Sequence, residues 1–457
     1  MGRLQLDWSH QFGRHTLDAF VGGRYNYFSF DNSDLSSTYQ GVADDKNPHL
    51  ATSAIPGIEG VSDKWKNIQW YGNVNYNYVN RYYATLSLMA EANSRFGDNA
   101  GGLGLFGVQW ALFPSLQLGW VMTNECWFPK AIGIDYLRLN AGFDISGNDN
   151  ISNYAARTSF NAVKFYNQAM GMQLTNIGND KIQWESTNKL NLGLQAYLLN
   201  NRVGVSFDYF LHKTRNLLTQ RTFENPIGGI NFYWSNGGEL RNEGFEAVIT
   251  AKPVVTKDWN VEIGASVGHY KNKVTKLPGG FTNVRSLYGD QNILTQVGLP
   301  VAVFYGYKTD GVFANDAEAM KAGLGGNQYL YQVDQAGNPQ YFKAGDMKFV
   351  DLNGDGIINA SDKTVIGDPN PDIYGNIFAN VAWKNLTLNI GFNYSLGNDV
   401  YNYQRSVLNS GATFYNQQVA ETGRWRYENH VAELPRAVFG DPMGNNRFSD
   451  RWIEDGS

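Results

Sequence analysis

Residues 188–213, NKLNLGLQAYLLNNRVGVSFDYFLHK, constrain the fold of this chain more than any other stretch. Leu190, Leu192, Leu194, Ala196 and Leu198 alternate with Lys189, Asn191, Gly193, Gln195 and Tyr197. After Asn200-Asn201 the alternation resumes, with Val203, Val205, Phe207, Tyr209 and Leu211 against Arg202, Gly204, Ser206, Asp208 and His212. A period of two puts each set on one face of a strand. Asn tolerates the positive φ of a two-residue hairpin turn, so a turn at Asn200-Asn201 predicts Leu198 opposite Val203, Ala196 opposite Val205 and Leu194 opposite Phe207. One face of this hairpin is then apolar throughout, and the other is mostly polar and glycine. Each strand runs for about eleven residues, twice the usual about five or six. About nine to eleven tilted residues take a strand across a bilayer. The expectation is a membrane-spanning hairpin.

The pattern repeats along the chain. Leu4, Leu6 and Trp8 lead into Leu17, Ala19 and Val21; Ile68, Trp70 and Val74 turn at Val79-Asn80-Arg81 into Tyr82, Ala84, Leu86 and Leu88. Leu116, Leu118 and Trp120 lead to Leu137, Leu139 and Phe143. Phe245, Ala247 and Ile249 turn at 253–258 into Trp259, Val261 and Ile263; Ile377, Ala379 and Val381 turn at Lys384-Asn385 into Leu386, Leu388 and Ile390. Short turns close the hairpins, whereas long glycine- and asparagine-rich segments near 28–66, 146–183, 214–243, 274–372 and 398–450 join one to the next. Outer-membrane barrels have short periplasmic turns and long extracellular loops. Trp8, Trp259, Trp383, Tyr78 and Tyr82 cluster beside the short turns, where an aromatic girdle meets the interface. The predicted fold is all-β: an incomplete transmembrane antiparallel β-barrel with roughly 13–14 spanning strands. All 457 residues belong to this barrel, and 274–372 forms one long extracellular loop region.

Composition narrows the alternatives. Charged residues are 17%, aromatics 14%, and there are 50 glycines, low in charge and rich in aromatics for a soluble chain. A net charge of −5 argues against a nucleic-acid partner. Mean hydropathy is −0.39 and no apolar run reaches membrane-helix length, but a barrel spreads its apolar residues over alternate positions and escapes that criterion. Cys126 is the single cysteine, which excludes an internal disulfide and predicts a small buried or half-buried residue. The opening MGRLQLDWSH has no signal-peptide core, so an outer-membrane chain beginning there is expected to be a fragment or a processed product.

Three further segments carry expectations. Val301 to Phe313 reads as a strand with long flanks, leaving open whether it spans. Tyr329 to Phe342 reads as a short ribbon turning at 336–339, and Asp316 to Ala322 as a short helix. Asp351 to Asp362, DLNGDGIINASD, has the spacing of a calcium loop. Asp351, Asn353 and Asp355 occupy positions 1, 3 and 5, with turn glycine Gly356 at 6. Ile357 offers its carbonyl at 7, Asn359 stands at 9 and Asp362 at 12. Closely spaced oxygen ligands suit a hard cation, and the shorter Asp in place of Glu at the last position weakens it. The alternative is an Asx-rich turn without an ion.

No catalytic set emerges. The six histidines (His10, His15, His49, His212, His269 and His430) form no ligand pair, and no nucleophile elbow, P-loop or dinucleotide fingerprint follows a strand into a helix. An enzyme is therefore not expected. Lys189, Arg202, Asp208, Glu246, Lys252 and Glu262 fall on the lumen side, where they wet the wall or line a path. Tyr154, Phe160, Phe232, Tyr233 and Trp234 in the long connections could stack on sugars, but packing of loop against loop is favoured.

Read together, FGVQWALFPSLQLGWVMTNECW, IDYLRLNAGFDISGND, WESTNKLNLGLQAYLLNNRVGVSFDYF, NGGELRNEGFEAVI, VFYGYKTDGVF, GDMKFVDLNGDGIINASDKTVIGDPNPDIYGN and FSDRWIEDGS resemble, in this order, the barrel of SusC/RagA-like TonB-linked outer-membrane transporters. The resemblance covers nearly the whole chain, without the plug, the TonB-contacting box or the terminal strands. It implies the outer membrane of a Gram-negative cell and import of large nutrients, oligosaccharides first and peptides second. The implied partners are a SusD-like surface lipoprotein, TonB acting through the plug region, and membrane lipid. The rival reading is a soluble calcium-dependent β-rich binding or adhesion protein, which leaves a whole apolar face of each hairpin exposed.

Overall fold

A computed structural model describes residues 1–38, 55–129, 133–165, 169–278, 283–286 and 292–457. The chain forms two compact units: Met1–Asn201 with Phe210–Glu239, and Arg202–Tyr209 with Leu240–Ser457.

The first unit is an antiparallel sheet of seven long strands in sequence order, β1 (Gly2–Phe12), β2 (His15–Thr38), β3 (Ile55–Tyr78), β4 (Tyr82–Asn93), β5 (Val108–Val121), β6 (Ile134–Asn148) and β7 (Glu185–Leu198). Each strand pairs with its predecessor; Val74 lies opposite Leu86, and Leu86 opposite Leu116. Strand β8 (Val203–Arg215) contributes its second half, from Phe210, to this unit. A contact of 2.9 Å between the Thr187 and Thr214 hydroxyls fits the register expected from the alternation. The turn differs from expectation. It takes four residues rather than two, with Leu199, Asn200 and Asn201 all at positive φ of 57–60°. Leu199 N–H donates to the Gly133 carbonyl and Asn201 N–H to Asp135, which hold this conformation.

The second unit contains β9 (Glu239–Val255), β10 (Trp259–Lys276), β11 (Ile373–Trp383) and β12 (Leu386–Leu396), again antiparallel in sequence order, with the turn-proximal part of β8. Twelve long strands are thus described, fewer than the roughly 13–14 expected. Strand β9 runs on through Pro253 to Val255, so its turn is shorter than 253–258; Lys252 N–H still donates to the Arg202 carbonyl at 2.7 Å.

The segment between β10 and β11 is folded. Val301–Phe313 does not join the long strands. It breaks into Val303–Tyr307, which pairs with Lys363–Gly367, and Thr309–Val312, which pairs with Met347–Phe349. A short helix, Asp316–Lys321, is capped by Asn315, whose side chain accepts from Glu318 N–H at 2.9 Å. The ribbon Tyr331–Val333 with Pro339–Tyr341 turns over 334–338, slightly earlier than expected. Asp334 accepts the backbone N–H groups of Ala336 and Asn338 and fixes the turn there. Phe313, Leu330, Phe342, Met347, Phe349, Ile358 and Met443 form a dry core beneath these pieces. Burying seven large apolar side chains explains how so long a connection holds one shape.

The closing FSDRWIEDGS stretch packs into the same body. Tyr307 N–H donates to the Phe448 carbonyl, Thr309 donates twice to Asp450, Trp452 is fully buried, and Ile453–Asp455 pairs with Asp399–Tyr401.

Candidate functional site

The long strands carry an inverted pattern of burial. In the first unit Leu4 is 72% exposed, Trp70 57% and Leu86 57%, whereas Asn67 is 4% and Glu91 7% exposed. The buried row is hydrogen-bonded to itself. Asn67 and Gln69 donate to the two oxygens of Glu91 at 2.8 and 3.1 Å, Asn73 donates to Ser87 at 2.7 Å, and Thr85 to Asn75 at 2.8 Å. Lys189 pairs with Asp144 at 3.8 Å. The second unit repeats the arrangement. Ile249, Ile263, Ile377, Leu388 and Phe392 are exposed. On the other face Ser266 donates to Asn376 at 2.9 Å, Tyr374 to Glu246 at 2.8 Å, and Lys252 meets Glu262 at 3.9 Å. Leaving about 25 cal/mol per Å² of apolar surface in water along every strand makes no sense for a soluble sheet. Lipid is the solvent that reverses the sign, and it requires backbone groups to be paired, as the ladders between neighbouring strands do.

The girdle residues also appear as expected. Trp8, Tyr82, Trp259 and Trp383 are exposed beside the short turns; Trp259 stacks on Trp383 at 5.7 Å, and Tyr78 on Tyr82 at 6.3 Å. Among the described residues no helix is long and apolar enough to cross a membrane. Strands do the crossing.

Cys126 departs from its expectation. It is exposed, on the loop after β5, with its Sγ accepting from Arg81 Nη2 at 3.5 Å. Two residues on, Phe128 is the buried side chain of this loop. Of the loop aromatics, Trp234 packs against the core formed by Phe96, Phe113, Ile182 and Trp184, and Tyr154 accepts from Lys64 N–H at 3.2 Å; Phe160 and Phe232 stay exposed. His212 meets Asn191 and His269 the Asp372 carbonyl; His49 lies outside the described residues.

The 351–362 loop is built from its own side chains. Asp351 accepts Gly354 N–H and Gly356 N–H, both at 2.7 Å; Asn353 accepts Asp355 N–H, and Asp355 accepts Ile357 N–H. Gly354 and Gly356 have φ of 73° and 80°, so a turn glycine is required where the spacing placed it. Asn359 and Asp362 form a capping box around the turn Ala360–Asp362. Asp362 is fully buried, and its other oxygen accepts Leu352 N–H at 3.0 Å, which closes the loop. Ile358 anchors the loop in the core. Each carboxylate oxygen keeps a second lone pair, so these hydrogen bonds leave room for a cation. Yet among the described residues no three His, Cys, Asp or Glu side chains converge to hold a metal. The six oxygens of Asp351, Asn353, Asp355, Ile357, Asn359 and Asp362 therefore need a rearrangement to share one ion. The turn by itself accounts for the shape.

Sequence reasoning missed a buried ion pair nearby. Asp346 is fully buried, accepts Arg436 Nε and Nη2 at 2.8 and 2.9 Å, and also accepts from Asn445 at 3.1 Å. Ninety residues separate the partners, so no local spacing signals them.

Comparison with known proteins decides the family. The profile "TonB dependent receptor-like, beta-barrel" matches residues 1–355. The chain belongs to that family. TonB-dependent receptor P3 of Formosa agariphila is 30% identical over 99% of this chain and 43% of its own length. TonB-dependent receptor SusC of Bacteroides thetaiotaomicron is 27% identical over 87% of this chain and 37% of its own. The solved structure of the RagAB peptide transporter superposes with a TM-score of 0.77 at 21% identity, covering 99% of this chain and 47% of that one. The chain thus spans less than half the length of the relatives it matches. As a TonB-dependent receptor barrel it lies in the outer membrane and is not an enzyme.

Proposed function

We propose that this chain forms part of the wall and outer segment of a SusC-type importer. In this reading TonB, acting through a plug region, drives uptake of a large nutrient, an oligosaccharide before a peptide. A SusD-like surface lipoprotein receives the nutrient outside. The observation that supports this best is a hydrogen-bonded polar face behind the apolar one in each unit, Asn67 with Glu91 in the first and Ser266 with Asn376 and Tyr374 with Glu246 in the second. Such a wall suits a hydrated solute, and amide side chains match sugar hydroxyls because both donate and accept. Among the similar proteins, RagAB is a peptide transporter, which keeps a peptide as the second reading. The test is uptake of labelled oligosaccharides and peptides by cells deleted for the full-length gene. Complementation should restore oligosaccharide uptake, and loss of TonB should abolish it. Uptake that persists without TonB would sink the proposal.

We also propose a weak Ca2+ site in the 351–362 loop, with Asp351, Asn353, Asp355 and the Ile357 carbonyl as its ligands and Asp362 holding the loop closed. Support comes from the ligand spacing and from the exposure of Asn353 and Asp355. An affinity of about 0.1–1 mM suits such a loop outside a cell. Calcium should slow proteolysis of the outer segment in the full-length protein.

A further inference from the structure

Between β4 and β5 the chain makes a small hairpin of its own. Leu103–Leu105 pairs with the start of β5, Leu105 opposite Val108 and Leu103 opposite Trp110. Phe106 and Gly107 form its turn, both at positive φ, 57° and 76°. Leu103, Leu105 and Val108 are half exposed, and Phe106 at the tip is 93% exposed. We infer that this hairpin inserts into the lipid of the outer leaflet and ties the 94–107 connection to the membrane surface. The inference goes beyond the importer reading and rests on the lipid-facing row alone.

Continuity with that row sets the occupant. Along β5, Val108 has the parity of Leu112, Leu116 and Leu118, all exposed, and Leu116 stands opposite Leu86 on the lipid side of β4. Cross-strand partners share a face, so Leu105 lies on it with Val108. Gly104 and Gln109 alternate onto the other face, where Gln109 Nε2 donates to the Asp98 carbonyl at 3.4 Å. The hairpin thus repeats the two-faced pattern of the long strands. Residues 99–124 contain no charged side chain and no histidine, so no charge has to leave water.

Its height suits the far interface. Trp120 stands opposite Tyr82 beside the short turn, and β5 runs away from that turn toward Val108. At ~3.4 Å per residue and a tilt of about 40°, Val108 is ~31 Å above this girdle, across an apolar band about 25 Å tall. The Phe106 ring then falls where headgroups meet acyl chains, a level that aromatic side chains favour. The hairpin is also braced. Phe96 and Ala100 before it and Ala111 and Phe113 after it are buried in one core. Trp110 is buried too, and its Nε1 donates to the Leu105 carbonyl at 3.1 Å. A bulky residue at positive φ costs conformational energy that glycine avoids; Phe106 bears that cost and places a ring at the tip. A protein occupant fits less well. With Leu112 the exposed apolar side chains number five, against about 20–30 residues a side in a stable interface, and the hairpin offers no charge to pair.

The test is spin labelling of the full-length protein in phosphatidylcholine vesicles, with its other cysteines, Cys126 among them, replaced by serine. Nitroxides are attached to Phe106→Cys, Gln109→Cys and Leu116→Cys. Power saturation compares their access to oxygen, which concentrates in lipid, and to a water-soluble nickel complex. The labels at 106 and 116 should be open to oxygen and closed to nickel, with a lower oxygen-to-nickel ratio at 109. Adding Phe106→Asp to Leu105→Cys should shift the label at 105 from oxygen toward nickel. An unchanged label at 116 shows that the sheet still stands. A label at 106 open to nickel puts the tip in water and overturns the inference. A label closed to both reagents puts it under protein, a second copy or another chain, and overturns it equally. So do equal ratios at 106 and 109, or a label at 105 that ignores Phe106→Asp. No uptake is measured, so a failed uptake experiment strikes the importer reading alone, and failed labelling strikes the hairpin alone.

Discussion

Replacing Leu86 with arginine tests the two-faced sheet where it is most exposed to refutation. Leu86 stands on β4 between Val74 and Leu116, with Thr85, next to it, on the opposite face between Asn75 and Gln117. Leu86 is four residues beyond Tyr82 at the short turn, or ~14 Å along the strand at ~3.4 Å per residue. A tilt of about 40° reduces this to a height of ~10 Å, near the middle of an apolar band about 25 Å tall. Arginine at that depth on the lipid face costs about 2–4 kcal/mol, which is roughly a 30- to 900-fold fall in the folding equilibrium. Thr85→Arg, one residue away, meets amides and water and should cost at most about 1 kcal/mol. The assay is reversible denaturant unfolding of the full-length protein in lipid vesicles, followed by tryptophan fluorescence. Equal losses for the two variants, or a larger loss for Thr85→Arg, would refute the assignment of faces and with it the membrane argument.

Other outcomes follow from the outer segment. Asp346→Asn should leave Arg436 without its buried partner and destabilise this segment by about 2–4 kcal/mol, discounted for the partial exposure of the guanidinium; limited proteolysis should cut 300–450 faster while the strands stay intact. Burial holds the Glu421 carboxyl above the usual carboxylate range, against the opposing pull of Arg451 and Arg424. A raised folded pKa means stability that is greatest at low pH and is lost as pH rises through that value. The proteolytic half-life should therefore lengthen as pH falls toward the ordinary carboxylate range, and Glu421→Gln should remove that dependence. Asp351→Ala combined with Asp355→Ala should abolish calcium-dependent protection, and a wild type that shows none at millimolar calcium would reduce the loop to a turn.

Much of the architecture was legible in one dimension. A period of two, strands of bilayer length and alternating short and long connections are local properties, because a strand's faces follow from its own alternation. The turns at 79–81 and 384–385, the capped helix at 316 and the turn glycine Gly356 were legible for the same reason. Tertiary structure decided what depends on partners far along the chain. Val301–Phe313 alternates well enough to be a spanning strand, but Lys363–Gly367 and Met347–Phe349 offer it edges within a compact body of short strands. Cys126 could have been buried, but it is exposed while Phe128 on the same loop is buried. Asp362 reads as an ion ligand by spacing, whereas its burial and its bonds to Leu352 and Asn359 make it the clasp of the loop. The Asp346–Arg436 pair joins segments ninety residues apart, and a cavity beside Lys363 gathers residues from Asn292 to Phe448. A buried charge or a cavity is specified by what surrounds it in three dimensions, and no spacing along the chain encodes those neighbours.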